Sequence, residues 1–180
     1  MNGTESQQTF IHINWSGPHS LKDVESLNGP EDFGVYQVYG NHPVYGSGVL
    51  LYIGRAVKQT FKTRFAQPDH VGTWQNNPDA GRVEVYVGRL WGLKTPDDET
   101  WNRHIILAER LLIYVHEPAK NAQKELKRLE PDLRPVHILN WHCHRDLLPE
   151  VSGAAWTGFA DNRSYCHFST AHNVPAPIKP

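Results

Sequence analysis

Residues 34–64 read GVYQVYGNHPVYGSGVLLYIGRAVKQTFKTR. Gly34-Val35-Tyr36 opens one apolar run, Leu51-Tyr52-Ile53-Gly54 closes a second, and Gly, Asn and Pro crowd the stretch between them. Runs of β-branched and aromatic residues bracketed by turn formers spell a hairpin. Strand alternation places Tyr36 and Val38 on one face and Val35, Gln37 and Tyr39 on the other, with His42, Pro43, Tyr45 and Gly46 at the tip. Past Gly54 the chain enters a basic helical segment carrying Arg55, Lys58, Lys62 and Arg64. Two tyrosines and several cations therefore converge at one end of the hairpin.

Outward from the hairpin, Val83 to Val87 alternates cleanly and completes a three-stranded antiparallel sheet. It is reached through a long loop, Gln67 to Gly81, that contains Pro68, Gly72 and Pro78. Asp97 and Asp98 suit a helix N-terminus, and that helix runs to about His116 before Pro118 stops the pattern. Trp101, Ile105, Ala108, Leu112 and Val115 share its apolar stripe. Glu109 lies at the margin of the stripe, half buried, where a carboxylate needs a partner: a cation in a salt bridge or a metal. Ala119 to Leu129 reads as another helix with Asn121 in its first turn, where an Asn commonly serves as a cap. Upstream, Phe10 to Trp15 is a short strand ended by Ser16-Gly17-Pro18, and Leu21 to Leu27 is a brief helix; together they brace the hairpin. Val136 to Trp141 is a further strand outside this core.

In order and type, these residues resemble the motif of the GIY-YIG nucleases. The two tripeptides are matched by Gly34-Val35-Tyr36 and Tyr52-Ile53-Gly54, the family arginine by Arg64, and the helix pattern by Glu109 to Ile113 with Pro118 and Asn121. The resemblance covers roughly residues 30 to 125. Fifteen residues, Gln37 to Leu51, separate the tripeptides, more than is usual, and Arg64 follows Gly54 by ten positions. Pro68 stands where the family often carries a His one turn after the arginine, which leaves His70 as the nearby substitute.

The resemblance implies an α+β fold: a three-stranded antiparallel sheet flanked by helices, with N-terminal and C-terminal extensions, the latter over 130–180. It implies a metal-dependent endonuclease acting on DNA, with Tyr36, Tyr52, Arg55, Arg64, His70, Glu109 and Asn121 in the site. Glu109 would bind one Mg²⁺ or Mn²⁺, an ion satisfied by one or two carboxylates and several waters. Arg64 would hold the non-bridging oxygens of the phosphate, and Tyr52 would activate the attacking water with Tyr36 beside it. A phenol of pKa about 10 is a poor base at neutrality. Arg55, next to Gly54, is the first cation expected to lower it, ahead of Lys62 and His70. Products would carry 5′-phosphate and 3′-hydroxyl ends. One site cuts one strand, so double-strand cleavage takes a homodimer or sequential nicks.

A chain of 180 residues, 39% hydrophobic and 21% charged, suits one globular domain spanning 1–180. No apolar run reaches the roughly 20 residues of a membrane span. The start, MNGTESQQTF, lacks the basic and apolar regions of a secretory signal, and two cysteines make no disulfide framework. An intracellular, cytoplasmic protein is expected. The net charge of -1 excludes a strongly basic nucleic-acid binder. Even so, residues 51–95 hold seven cations against three carboxylates, a local balance of +4 beside the motif. A second reading from another class is a non-catalytic nucleic-acid-binding or protein-interaction module of the same fold. In the tail, His142-Cys143-His144 and Cys166-His167 offer zinc-type ligands. Their spacing matches no standard finger, and three adjacent residues in an extended chain cannot all face one metal. Buried cysteines with histidines at the surface are the expectation, followed by an extended Pro-rich end over 173–180.

Overall fold

The computed structural model describes residues 8–76, 80–92, 97–121 and 130–158. Among these, six strands form one sheet: β1 (Thr9–His19), β2 (Gly34–His42), β3 (Gly46–Ala56), β4 (Glu84–Trp91), β5 (Val136–His142) and β6 (Glu150–Ser152). The spatial order is β3-β2-β4-β1-β5-β6. All neighbours are antiparallel except β1 and β5. The helices are α1 (Leu21–Val24), α2 (Phe61–Phe65), α3 (Pro68–His70), α4 (Asp98–His116) and α5 (Gly153–Gly158), with a π-helical turn over Val71–Gln75.

The fold is α+β, but its sheet is mixed and six-stranded, not the expected antiparallel sheet of three. Strands β3, β2 and β4 are the expected trio. The sheet continues because every second residue of β1, namely Ile11, Ile13 and Trp15, is buried, and both backbone edges of a buried strand need hydrogen-bond partners. β4 satisfies one edge and β5 the other, so the presumed brace and the presumed outlying strand are both sheet members. Nor does Ser16-Gly17-Pro18 end β1; the pairing with β4 shifts register between Ser16 and His19 and carries on. Asn140 of β5 is buried because it is saturated: it accepts from Trp15 Nε1 at 2.9 Å and donates to the Leu148 carbonyl at 2.8 Å.

Two apolar layers sandwich the sheet. On one face Ile11, Ile13, Trp15, Val35, Tyr39 and Ile53 pack against Ile105, Ala108, Leu111 and Leu112 of α4. Each fully buried aliphatic of this kind contributes about 1.5–3 kcal/mol. α4 begins where Asp97 accepts from the Thr100 backbone N–H at 2.8 Å, and it ends at Glu117, in the left-handed region with φ 46°, ahead of Pro118. On the other face Tyr36, Val38, Leu51, Val85 and Val87 meet Val24, Phe61, Phe65 and Trp74 from α1, α2 and the π-turn. The loop expected over 67–81 is thus partly helical, pinned by Trp74. Gly34 is required where it stands: at φ 146°, a Cβ there would lie 2.2 Å from the Gly88 carbonyl oxygen.

β3 is the outermost strand beside β2, and residues 119–121 seal its free edge. Ala119 N–H donates to the Leu50 carbonyl at 3.1 Å and Lys120 N–H to that of Leu51 at 2.7 Å. Ala119 to Asn121 therefore run as a strap along β3 and not as the first turn of a helix; the remainder of that expected helix, 122–129, lies outside the described residues. Among the described residues no helix is long and apolar enough to cross a membrane.

Candidate active site

The tripeptides bring their side chains together through the pairing of Tyr36 with Gly54. The Tyr36 ring lies flat over Gly54, so close that a Cβ there would stand 2.4 Å from its hydroxyl oxygen. Tyr36 and Tyr52 then share one face, ring centroids 6.1 Å apart. Helix α2 opens at Thr60, whose hydroxyl accepts from the Thr63 N–H at 3.3 Å. Phe61 and Phe65, one turn apart, anchor it in the core under Tyr36 and hold Arg64 at the rim of the cluster. The Arg64 guanidinium donates to Gln67, pairs with Asp69 Oδ2 at 3.2 Å and lies against the Tyr36 hydroxyl.

His70 completes this side. Its Nε2 is 3.0 Å from the Tyr36 hydroxyl, and its Nδ1 receives the indole N–H of Trp74 at 3.0 Å. Burial, reinforced by the neighbouring Arg64 and opposed by Asp69, pulls His70 down to about 4, so the ring is neutral at physiological pH. Burial and the neighbouring Tyr52 push the Tyr36 phenol up, against the pull of Arg64. Tyr36 is therefore a fixed hydroxyl near neutrality and no phenolate base. Beside it, the Lys120 ammonium sits 5.2 Å over the Trp74 ring, and that ring is 6.0 Å from Tyr52.

Arg55 and Glu109 are placed apart from this cluster. Arg55 pairs with Val35, on the α4 face of the sheet, whereas Tyr52 packs with the α2 side. There its guanidinium forms a direct ion pair with the buried carboxylate of Glu109. Glu109, expected at half burial, is 7% exposed, and its partner is a cation. Arg55 consequently does not serve as the cation beside the Tyr52 phenol; on that side Arg64 interacts with Tyr52, and Lys120 sits over Trp74. Parity decides this, since Arg55 is an odd number of residues from Tyr52 on one strand. Arg55 and Glu109 thus lie on the face of β3 opposite Tyr36 and Tyr52.

Asn121 bonds to the strand instead of entering the cluster. Its side-chain oxygen accepts from the Ile53 N–H at 2.9 Å and its amide donates to the Ile53 carbonyl at 2.9 Å. The residue thus pairs with Ile53 as a substitute strand partner. Trp74 and Lys120 were not anticipated. The signal for Trp74 was its place four residues after His70, hidden by reading 67–81 as a loop.

Glu109 supplies one oxygen-donor carboxylate, the ligand type that Mg²⁺ takes alongside its own waters. Among the described residues no group of three His, Cys, Asp or Glu side chains converges to hold an ion. In the tail, His142 Nδ1 lies 2.7 Å from Asn14 Oδ1, and Cys143 is exposed, not buried as expected, because β5 ends at His142 and the chain turns outward. Cys166 and His167 lie outside the described residues. No protein-family model, curated protein or solved structure matches this chain.

Proposed function

We propose that this chain is a divalent-metal-dependent endonuclease of the GIY-YIG type that hydrolyses DNA phosphodiester bonds. The observation that carries the reading is the gathering of Tyr36, Tyr52, Arg64 and His70 into one cluster from β2, β3, α2 and α3. A phosphodiester transition state gains negative charge and must be met by fixed donors and cations. Arg64 presents a guanidinium fork to the non-bridging oxygens, and Lys120 adds a second cation at the same edge. Tyr36, held by His70, contributes a hydroxyl that stays protonated near neutrality. Tyr52, partly exposed beside it, orients the attacking water and, as the phenolate, would take its proton. Glu109 would hold the Mg²⁺ or Mn²⁺, with Arg55 fixing the carboxylate. When bound, that ion supplies Lewis-acid stabilisation of the leaving 3′-oxygen. Each chain carries one such site and cuts one strand, so a double-strand break takes a homodimer or two nicks.

A second reading, a non-catalytic nucleic-acid-binding module, is favoured by the Arg55–Glu109 pair, which satisfies the carboxylate without any metal. Supercoiled plasmid incubated with wild type, Tyr52→Phe and Arg64→Ala in Mg²⁺ separates the two. Nicking by wild type alone supports the nuclease. DNA retention without nicking by any of the three supports the module.

A further inference from the structure

We infer that Trp74 is a positioning residue for the proposed reaction: its indole N–H dictates which His70 nitrogen carries the proton, and so turns the Tyr36 hydroxyl's own hydrogen away from His70. The catalytic consequence rests on the nuclease reading, whereas the geometry does not. An indole nitrogen donates and never accepts. His70 Nδ1, 3.0 Å from it, must therefore be the acceptor, and the neutral ring carries its hydrogen on Nε2. That nitrogen donates to the Tyr36 oxygen, 3.0 Å away. Arg64, which also reaches the Tyr36 hydroxyl, is a pure donor too. The hydrogen of Tyr36 is then left for an acceptor other than His70 or Arg64. Every link from Trp74 to Tyr36 runs one way.

Burial keeps water from offering an alternative, since Trp74 and His70 are each 3% exposed and Tyr36 is 0%. The charged and titratable groups facing the imidazole are Arg64 from α2, Asp69 from α3, and Tyr36 and Tyr52 from the sheet, with Lys120 beyond Trp74. Among the described residues, Asp69, 3.8 Å from Nε2, is the group that favours an imidazolium. A second ring proton would have to sit on Nδ1 and face the indole N–H head on. If the indole N–H is removed, either ring nitrogen can hold the hydrogen, and Tyr36 can turn back to donate to His70.

The test uses the full-length ¹⁵N-labelled protein and long-range ¹H–¹⁵N spectra of its eleven histidines, with His70 assigned by its loss in His70→Gln. The expected wild-type spectrum at pH 7 shows Nε2 protonated and Nδ1 bare. Trp74→Phe keeps a ring in place and should yield the other tautomer or a mixture, with the His70 titration moved up by about one pH unit. Nicking in Mg²⁺ should fall about tenfold in kcat with KM for DNA unchanged, and the acid limb of its pH profile should move up with the titration. A wild-type Nδ1–H tautomer overturns the proposal, as does a Trp74→Phe protein with the wild-type tautomer, rate and pH profile. Should Trp74→Phe fail to fold, the wild-type titration decides alone. A ring that stays Nε2–H to below about pH 5 supports the inference, and one that titrates near pH 6.5 overturns it. Should wild type cut no DNA, the nuclease reading falls, while the spectra still decide the direction of the chain.

Discussion

Gly54→Ala tests how tightly the two tyrosines are fitted together. The new Cβ would stand 2.4 Å from Tyr36 Oη, 2.5 Å from its Cζ and 2.6 Å from Tyr52 Cε1. Ordinary contact between such atoms is about 3.5 Å, so Tyr36 must retreat by about 1 Å. It has nowhere to go, being fully buried with the Phe65 and His70 ring centroids 4.9 and 5.7 Å away. Overpacking costs about 1–3 kcal/mol, and stretching the buried Tyr36–His70 hydrogen bond adds about 1 kcal/mol. At roughly 2–4 °C per kcal/mol for a chain of this size, a total of about 2–4 kcal/mol lowers Tm by about 4–16 °C. Gly72→Ala is the control, since nothing lies within 4 Å of a Cβ there. Thermal melting of both variants is the assay, and nicking should be lost in Gly54→Ala alone. A Gly54→Ala protein melting within about a degree of wild type would refute the packing argument.

Asn121→Ala strands the buried N–H and C=O of Ile53 and should cost about 2–4 kcal/mol, read as an earlier urea midpoint. Its folded fraction should still nick DNA, because the residue acts on β3 and not on the phosphate. For His70, the folded value of about 4 lies below the ordinary 6.5. The unfolded chain thus binds the proton first, and the stability His70 contributes is full above pH 6.5 and lost as pH falls toward 4. Between pH 7 and 5 that loss is about 2 kcal/mol, and His70→Gln should remove this part of the pH dependence of the urea midpoint. Arg64→Ala should abolish nicking while moving Tm by no more than about 3 °C, since its partners Gln67 and Asp69 reach solvent. Comparable losses of stability and activity would assign Arg64 a structural role.

The hairpin, the face assignments of β2 and the span of α4 were legible in the sequence because turn formers bracket the hairpin strands and periods of 2 and 3.6 repeat along β2 and α4. The six-stranded sheet was not: the parallel pairing of Ile11 with Ile138 joins segments far apart in the chain and leaves no local trace. Arg55 was misplaced for a different reason. Adjacency to Gly54 suggested a partner for Tyr52, whereas strand parity turns its side chain to α4 and Glu109. Glu109 was legible as a carboxylate needing a partner, and Asn121 as a capping residue; what no pattern showed was that Asn121 caps a strand edge instead of a helix. The Trp74–His70 contact spans four residues, a helical spacing that stayed hidden because 67–81 read as a loop.

The most direct test of the nuclease account is the nicking of supercoiled plasmid by wild type and Glu109→Gln, side by side in Mg²⁺ and in EDTA. The substitution keeps the shape of the side chain while removing the charge paired with Arg55. Because Arg55 can turn to water, it should cost only about 1 kcal/mol of stability. The account predicts Mg²⁺-dependent nicks with 5′-phosphate and 3′-hydroxyl ends from wild type. It predicts a loss of several orders of magnitude in Glu109→Gln, with DNA affinity in EDTA retained. A folded Glu109→Gln protein that cuts as fast as wild type, or a wild type that never cuts in Mg²⁺ or Mn²⁺, would contradict it.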